Sequence, residues 1–176
     1  ATSTRVGSSA ASDVYKRQNW MRGYSNWRWH LDEVFVKING ETHYLWRGVD
    51  HEGEVLESYV TKRRVRKAAL NFLRKSMKRY GNPEVIVTDK LRSYGAAMKV
   101  IGNVPRQQTG RWLYNRAENS HLPFRRRERA MLRFRQMRSL QKFAAVHSSV
   151  HNHFNQERHL YSRNRFKANR AAALTE

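Results

Sequence analysis

Three carboxylates are placed where cation chemistry is plausible on residue type alone. Asp32 lies inside the apolar run Leu31–Ile38, where an anion is costly unless a cation or hydrogen bonds compensate it. Asp89 directly follows the unbroken run Val85-Ile86-Val87-Thr88, and Glu118 closes Asn115-Arg116-Ala117-Glu118. Taken singly, each has a plainer role: a strand residue bonded to a loop, a turn or N-cap Asp before Leu91, and the N3 member of a capping box. Taken together, they can converge from a strand, a strand end and a helix. Anions brought that close repel one another unless divalent cations neutralise them. All-oxygen ligation suits Mg²⁺ or Mn²⁺, and two such ions form the clamp for in-line phosphoryl transfer.

The elements that must position them follow from periodicity. Leu31–Ile38 and Thr42–Asp50 are rich in β-branched and aromatic residues and are joined by Asn39-Gly40, the strongest short hairpin signal. His51-Glu52-Gly53 gives a second turn, and Val55–Val60 completes an antiparallel meander. Val65, Ala68, Ala69, Phe72, Leu73, Ser76, Met77 and Tyr80 keep helical spacing until Gly81-Asn82-Pro83. Val85–Thr88 then reads as a strand buried on both faces. The order β-β-β-α-β predicts an α/β fold with a mixed sheet, the helix crossing over to a parallel strand. Beyond it we expect a short helix near Ser93–Val100 and a loop or weak strand at Val104–Thr109. A basic helix follows from about Arg116, with Pro123 kinking or delaying it. An amphipathic helix is marked by Leu140, Phe143, Ala144, His147 and His151, and a frayed helix by Arg163–Leu174.

Composition bounds the partners. The 176 residues carry 35 Lys and Arg against 14 Asp and Glu, a formal charge of +21, with no cysteine. Disulfides, cysteine-held zinc and iron–sulfur clusters are excluded. No apolar run approaches the ~18 residues of a membrane span, so the expectation is a cytoplasmic protein with an affinity for polyanions, nucleic acid first. The charge is uneven: residues 27–57 hold seven of the acids and net −4, while residues 62–79 hold nine bases and no acid. An acidic island has little use in a chain that merely coats DNA; beside DNA it suits metal binding. The Lys62–Arg79 and Arg125–Arg138 bases offer phosphate contacts. The five tryptophans are core residues or platforms for flipped bases, with Trp112 the best-placed platform because its loop precedes Glu118. His147 reads as core, and His151 and His153 lack helical ligand spacing, so the histidines are assigned no metal.

The local words narrow the choice of fold. Trp29-His30-Leu31-Asp32-Glu33, Asn39-Gly40 with His43-Tyr44-Leu45-Trp46-Arg47, and Val87-Thr88-Asp89-Lys90-Leu91-Arg92-Ser93-Tyr94 stand in consistent order. Asn115-Arg116-Ala117-Glu118-Asn119-Ser120-His121, Arg126–Met131 and His151-Asn152-His153-Phe154 continue the series. From about Trp27 to Thr175 the chain resembles DDE-type transposases of the sixth bacterial insertion-sequence family, whose core is ribonuclease H-like and integrase-like. The resemblance implies that Asp32, Asp89 and Glu118 are catalytic and hold two Mg²⁺ or Mn²⁺ ions. It also implies that Arg125, seven residues after Glu118, contacts DNA, and we group Arg126, Lys90, Arg92 and Trp112 with it. The implied activity is cleavage at transposon ends and 3′-hydroxyl strand transfer into target DNA, with a replicative outcome and an oligomer bridging two ends. The protein would act in bacterial cytoplasm, on the nucleoid. The alternatives are a non-catalytic DNA-binding relic and a ribonuclease H-like nuclease that only hydrolyses.

Domain organisation follows. We expect a disordered or non-native tail over 1–26, a catalytic core over 27–160 and a helical extension over 161–176. Family members carry a helix-turn-helix domain before the core, and only the small polar residues 1–18 stand in that place. The expectation is therefore an incomplete transposase.

Overall fold

The expected meander forms from β1 (Arg28–Ile38), β2 (Glu41–Val49) and β3 (Val55–Thr61). The computed structural model describes residues 28–89, 91–110, 113, 115–131, 134–154 and 162–175, without the side chains of 116–118, 173 and 175. The expected tail 1–26 lies outside the described residues. Asn39 and Gly40 take φ 51° and 83°, the paired left-handed values that a type I′ turn demands. At the second turn Asp50 Oδ1 accepts the Glu52 and Glu54 N–H groups, each at 2.9 Å.

The remaining elements are α1 (Arg66–Tyr80), β4 (Val85–Thr88), α2 (Arg92–Ile101), a 3-10 turn (Val104–Arg106), β5 (Gln107–Thr109), α3 (Asn115–Ala130), α4 (Met137–Phe154) and α5 (Arg163–Thr175). Strand order is β3-β2-β1-β4-β5. The meander pairs are antiparallel, and β1–β4 and β4–β5 are parallel. This is the expected α/β mixed sheet, with an antiparallel meander and parallel strands beside it, flanked by helices. The weak strand expected after Val104 is therefore the fifth strand of the sheet. Helix α3 runs unbroken through Pro123.

Side chains on a strand alternate between faces, and β1 uses both. Trp29 and Leu31 join Trp46, Leu56, Phe72, Leu73, Ile86, Tyr94 and Met98 in one core beneath α1 and α2. Val34, Val36 and Ile38 join Leu45, Val60, Phe124, Phe134, Leu140 and Ala144 in the other, beneath α3 and α4. Trp29 and Trp46 are fully buried, so neither offers a surface for bases; Trp20, Trp27 and Trp112 lie outside the described residues. His147 packs edge-on to Phe124 and beside Phe143 and His151, an aromatic packing role as expected.

Three of the seven acids in the acidic island are answered by the basic stretch that follows it. Glu33 pairs with Arg64, Glu41 with Lys62, and Glu57 with Lys75 and Arg79. Arg63, Arg66, Lys67, Arg74 and Lys78 stay exposed. Among the described residues no helix is long and apolar enough to cross a membrane.

An outer strand presents unpaired backbone groups, and α4 covers those of β3 with side-chain amides. Asn152 accepts from Val55 N at 2.8 Å and donates to Val55 O at 2.9 Å. Gln141 accepts from Val60 N and donates to Ser58 O, at 2.8 and 2.7 Å. Asn152→Ala should cost about 1–2 kcal/mol by urea unfolding, because both Val55 groups lose their partner. Exposed Ser149→Ala should change stability by less than about 0.5 kcal/mol.

Candidate active site

The parallel pairing of β1 with β4 decides the site. Leu31 stands opposite Thr88, so Asp32 and Asp89 are the next residues along two adjacent strands. Asp89 leaves the carboxyl end of β4, the position where open α/β sheets bind ligands. Oxygens of Asp32, Glu33 and Asp89 lie within 4.8 Å of one another.

Each carboxylate is held differently. Asp32 Oδ1 accepts the Glu33 N–H at 2.8 Å. Asp89 Oδ1 accepts the Leu91 N–H at 3.0 Å, so the residue that makes the turn also stands in the carboxylate cluster. Glu33 projects toward the α1/α2 side with its side chain only 1% exposed, ion-paired to Arg64. The same Arg64 Nη2 stands 3.6 Å from Asp89 Oδ2, and its guanidinium lies 5.4 Å above the Phe35 ring.

On the opposite face Arg47, fully buried, is directly across from Asp32 in the β1–β2 register. Burial lowers its pKa to about 10, still charged at neutral pH. His121 of α3 brings Nδ1 to 3.7 Å from Asp32 Oδ2. Burial, then the charges of Arg47 and Arg125, hold its pKa down at about 3. The ring is therefore neutral at pH 7, and its approach to Asp32 is a polar contact, not an ion pair. Tyr94 is completely buried beneath the carboxylates, edge-on to Trp46 at 5.4 Å. Burial, then the Asp32 and Asp89 charges, push its phenol well above the usual range. Its hydroxyl has no hydrogen-bond partner among the described residues.

Residues 26–157 match the DDE domain of the IS240-type transposase family. The chain belongs to this transposase DDE-domain family. It is 32% identical over 111 residues to the transposase for insertion sequence-like element IS431mec of Staphylococcus aureus, covering 59% of this chain and 50% of that protein. The same figures hold for the transposase for insertion sequence element IS257 in transposon Tn4003, also of S. aureus. The chain thus spans about half the length of these curated relatives. Among solved structures, the HTLV-2 integrase catalytic core domain in complex with magnesium gives a TM-score of 0.49 at 16% identity, over 58% of this chain and 69% of that one. A simian T-cell lymphotropic virus intasome in complex with PP2A regulatory subunit B56 gamma gives 0.48 at 20% identity, over 57% and 39%.

Within the DDE domain, the structure brings Asp32 and Asp89 together. Glu118 lies in α3 three residues before His121; its side chain lies outside the description. The loop leading to α3 is tied to β1, where His30 Nδ1 is 2.9 Å from the Leu113 carbonyl oxygen. Arg125 donates to Glu128 Oε2 at 2.6 Å, an i,i+3 pair on its own helix. Arg126 and Arg92 are exposed. Lys90 and Trp112 lie outside the described residues.

Sequence reasoning missed Glu33, Arg64, Arg47, Tyr94 and His121 as site residues. Tyr94 and His121 stand in the family words, and Glu33 is the second acid of an apolar run. Arg64 carries no such signal among nine neighbouring bases. Removing it strands a buried carboxylate, which costs several kcal/mol. With Arg64 one-third exposed, Arg64→Ala should lose about 2–4 kcal/mol in urea unfolding, and exposed Arg63→Ala less than about 0.5.

Proposed function

We propose that this domain cleaves DNA at the ends of an insertion sequence and joins the freed 3′-hydroxyl to target DNA. The observation that carries the reading is the juxtaposition of Asp32 and Asp89 at the end of β4, within a matched transposase DDE domain. The donor set fits a hard divalent cation, because it offers carboxylate oxygens and no sulfur. Asp32, Asp89 and Glu118 would hold two Mg²⁺ or Mn²⁺ ions, supplying an acidified water and charge neutralisation at phosphorus. Glu118 is supported by its helix: residues three apart share a face, and His121, three positions on, approaches Asp32.

The chemistry is two phosphoryl transfers at one site. In the first step a water oxygen attacks the scissile phosphorus in line, its proton leaves, and the 3′-oxygen departs and is protonated. In the second, that 3′-hydroxyl attacks a target phosphodiester and displaces another 3′-oxygen, so the phosphodiester count is conserved. Neutral His121 adds no charge beside Asp32. Exposed Arg92 and Arg126, with Lys90 and Arg125, bind phosphates, and Trp112 stacks on an unpaired base. Assembly as a homo-oligomer on DNA, in bacterial cytoplasm, completes the reading.

Asp89→Asn should abolish Mg²⁺-dependent nicking of an end-containing duplex while leaving salt-sensitive DNA binding within about twofold of the parent, because phosphate contacts carry the affinity. Nicking at the parental rate would show that Asp89 is not part of the site.

A further inference from the structure

Glu33, Arg64 and Asp89 form a connected unit at the rim of the carboxylate cluster. Glu33 belongs geometrically with Asp32 and Asp89, and on distance alone it is as good a metal ligand as either. Its surroundings say otherwise. It points to the α1/α2 side of β1, its side chain is buried, and its charge is taken up by Arg64. Asp32 and Asp89 are more open, at 17% and 29% side-chain exposure. Arg64 is itself constrained: it stacks on Phe35, and its backbone carbonyl accepts the Ser93 hydroxyl at 3.3 Å. That contact ties the β3–α1 connection to the first turn of α2, the helix that follows Asp89. From this anchored position the same guanidinium nitrogen that neutralises Glu33 reaches toward Asp89 at 3.6 Å.

We propose, building on the site assignment above, that Arg64 is a positioning residue: anchored on Glu33, it holds and neutralises Asp89 until a divalent cation takes its place. Glu33 is thereby reserved for Arg64 and does not ligate metal. The electrostatics require such a group. Carboxylates this close raise the cost of one another's ionisation, and Arg47, a second cation near Asp32, lies buried on the opposite face. The guanidinium lowers that repulsion in the cation-free protein and competes weakly for Asp89. Both contacts are made by the one Nη2 atom, placed by a planar guanidinium that stacks on Phe35 as a lysine ammonium would not. The buried Tyr94 hydroxyl lies in the field of Asp32, Asp89 and Arg64 together, so the floor of this unit is polar.

The test is calorimetric titration of Mn²⁺ into the full chain, without DNA. Neutralising both members of the buried pair avoids stranding either charge, so Glu33→Gln combined with Arg64→Gln is the informative variant. It should bind Mn²⁺ about two- to fivefold more tightly than the parent, the range expected from removing the one-third-exposed Arg64–Asp89 contact. Asp89→Asn should bind at least about tenfold more weakly, the usual cost of losing a ligand or its support. Parental or weaker Mn²⁺ affinity in the double variant overturns the role given to Arg64; a tenfold loss there makes Glu33 a ligand. Parental affinity in Asp89→Asn overturns the site assignment itself, so the two failures are distinguishable. Should the double variant fail to fold, Arg64→Lys keeps a cation for Glu33 but loses the stacked guanidinium that carries Nη2 toward Asp89, and should also bind Mn²⁺ more tightly; no gain overturns the proposal.

Discussion

Like charges cannot share a few ångströms of protein without a cation among them, and the architecture of this domain is arranged around that constraint. Oxygens of Asp32, Glu33 and Asp89 lie within 4.8 Å of one another, and cationic side chains approach from both sides of the sheet. Arg64 is on the α1/α2 side, held by Glu33. Arg47 is on the α3/α4 side, opposite Asp32 in the strand register. Neither is free to leave with solvent: one is buried outright and the other is pinned by a buried carboxylate and an aromatic ring. The cluster is held as part of the fold, and the Asp32 and Asp89 side chains stay 17% and 29% exposed.

Strand β1 makes this possible by serving two cores. Its odd residues up to Leu31 fill the space under α1 and α2, and its even residues from Val34 fill the space under α3 and α4. At Asp32 and Glu33 the apolar pattern is interrupted on both faces at the same level, which is the level at which β4 ends. The break in each core is therefore coincident with the mouth of the sheet. Helix α3 packs over that break and carries His121 toward Asp32, while His30 and the Leu113 carbonyl fix the chain that enters the helix.

Much of this was legible in the sequence, for physical reasons. Asn39-Gly40 tolerates the two positive φ values that a tight hairpin turn demands, and the buried four-residue run before Asp89 has few other homes than a central parallel strand. The helix over Arg66–Tyr80 announces itself by period, and a carboxylate inside a run such as Leu31–Ile38 demands compensation. What was not legible depends on partners distant in sequence. Nothing in the basic stretch Lys62–Arg79 distinguishes Arg64 from its neighbours, because the distinction is made by Glu33, a strand away. The phosphate role assigned to that stretch as a whole is narrowed, since Lys62, Arg64, Lys75 and Arg79 are engaged by acids of the preceding strands. The acidic island, read as a metal-binding device, is divided: Glu33, Glu41 and Glu57 answer those bases, Asp50 holds a turn, and Asp32 and Glu33 stand in the carboxylate cluster. Gln141 and Asn152 are ordinary polar residues of an amphipathic helix until β3 is set beside them. The Arg125–Glu128 pair could have been read from its spacing and was not.

The most direct measurement is anomalous diffraction at the manganese edge from crystals of the chain soaked in Mn²⁺. The expected map has a peak bounded by Asp32 and Asp89, with Arg64 still paired to Glu33 and turned away from Asp89. A peak on Glu33 with Arg64 displaced, or no peak at these carboxylates in crystals that bind Mn²⁺ elsewhere, would contradict it.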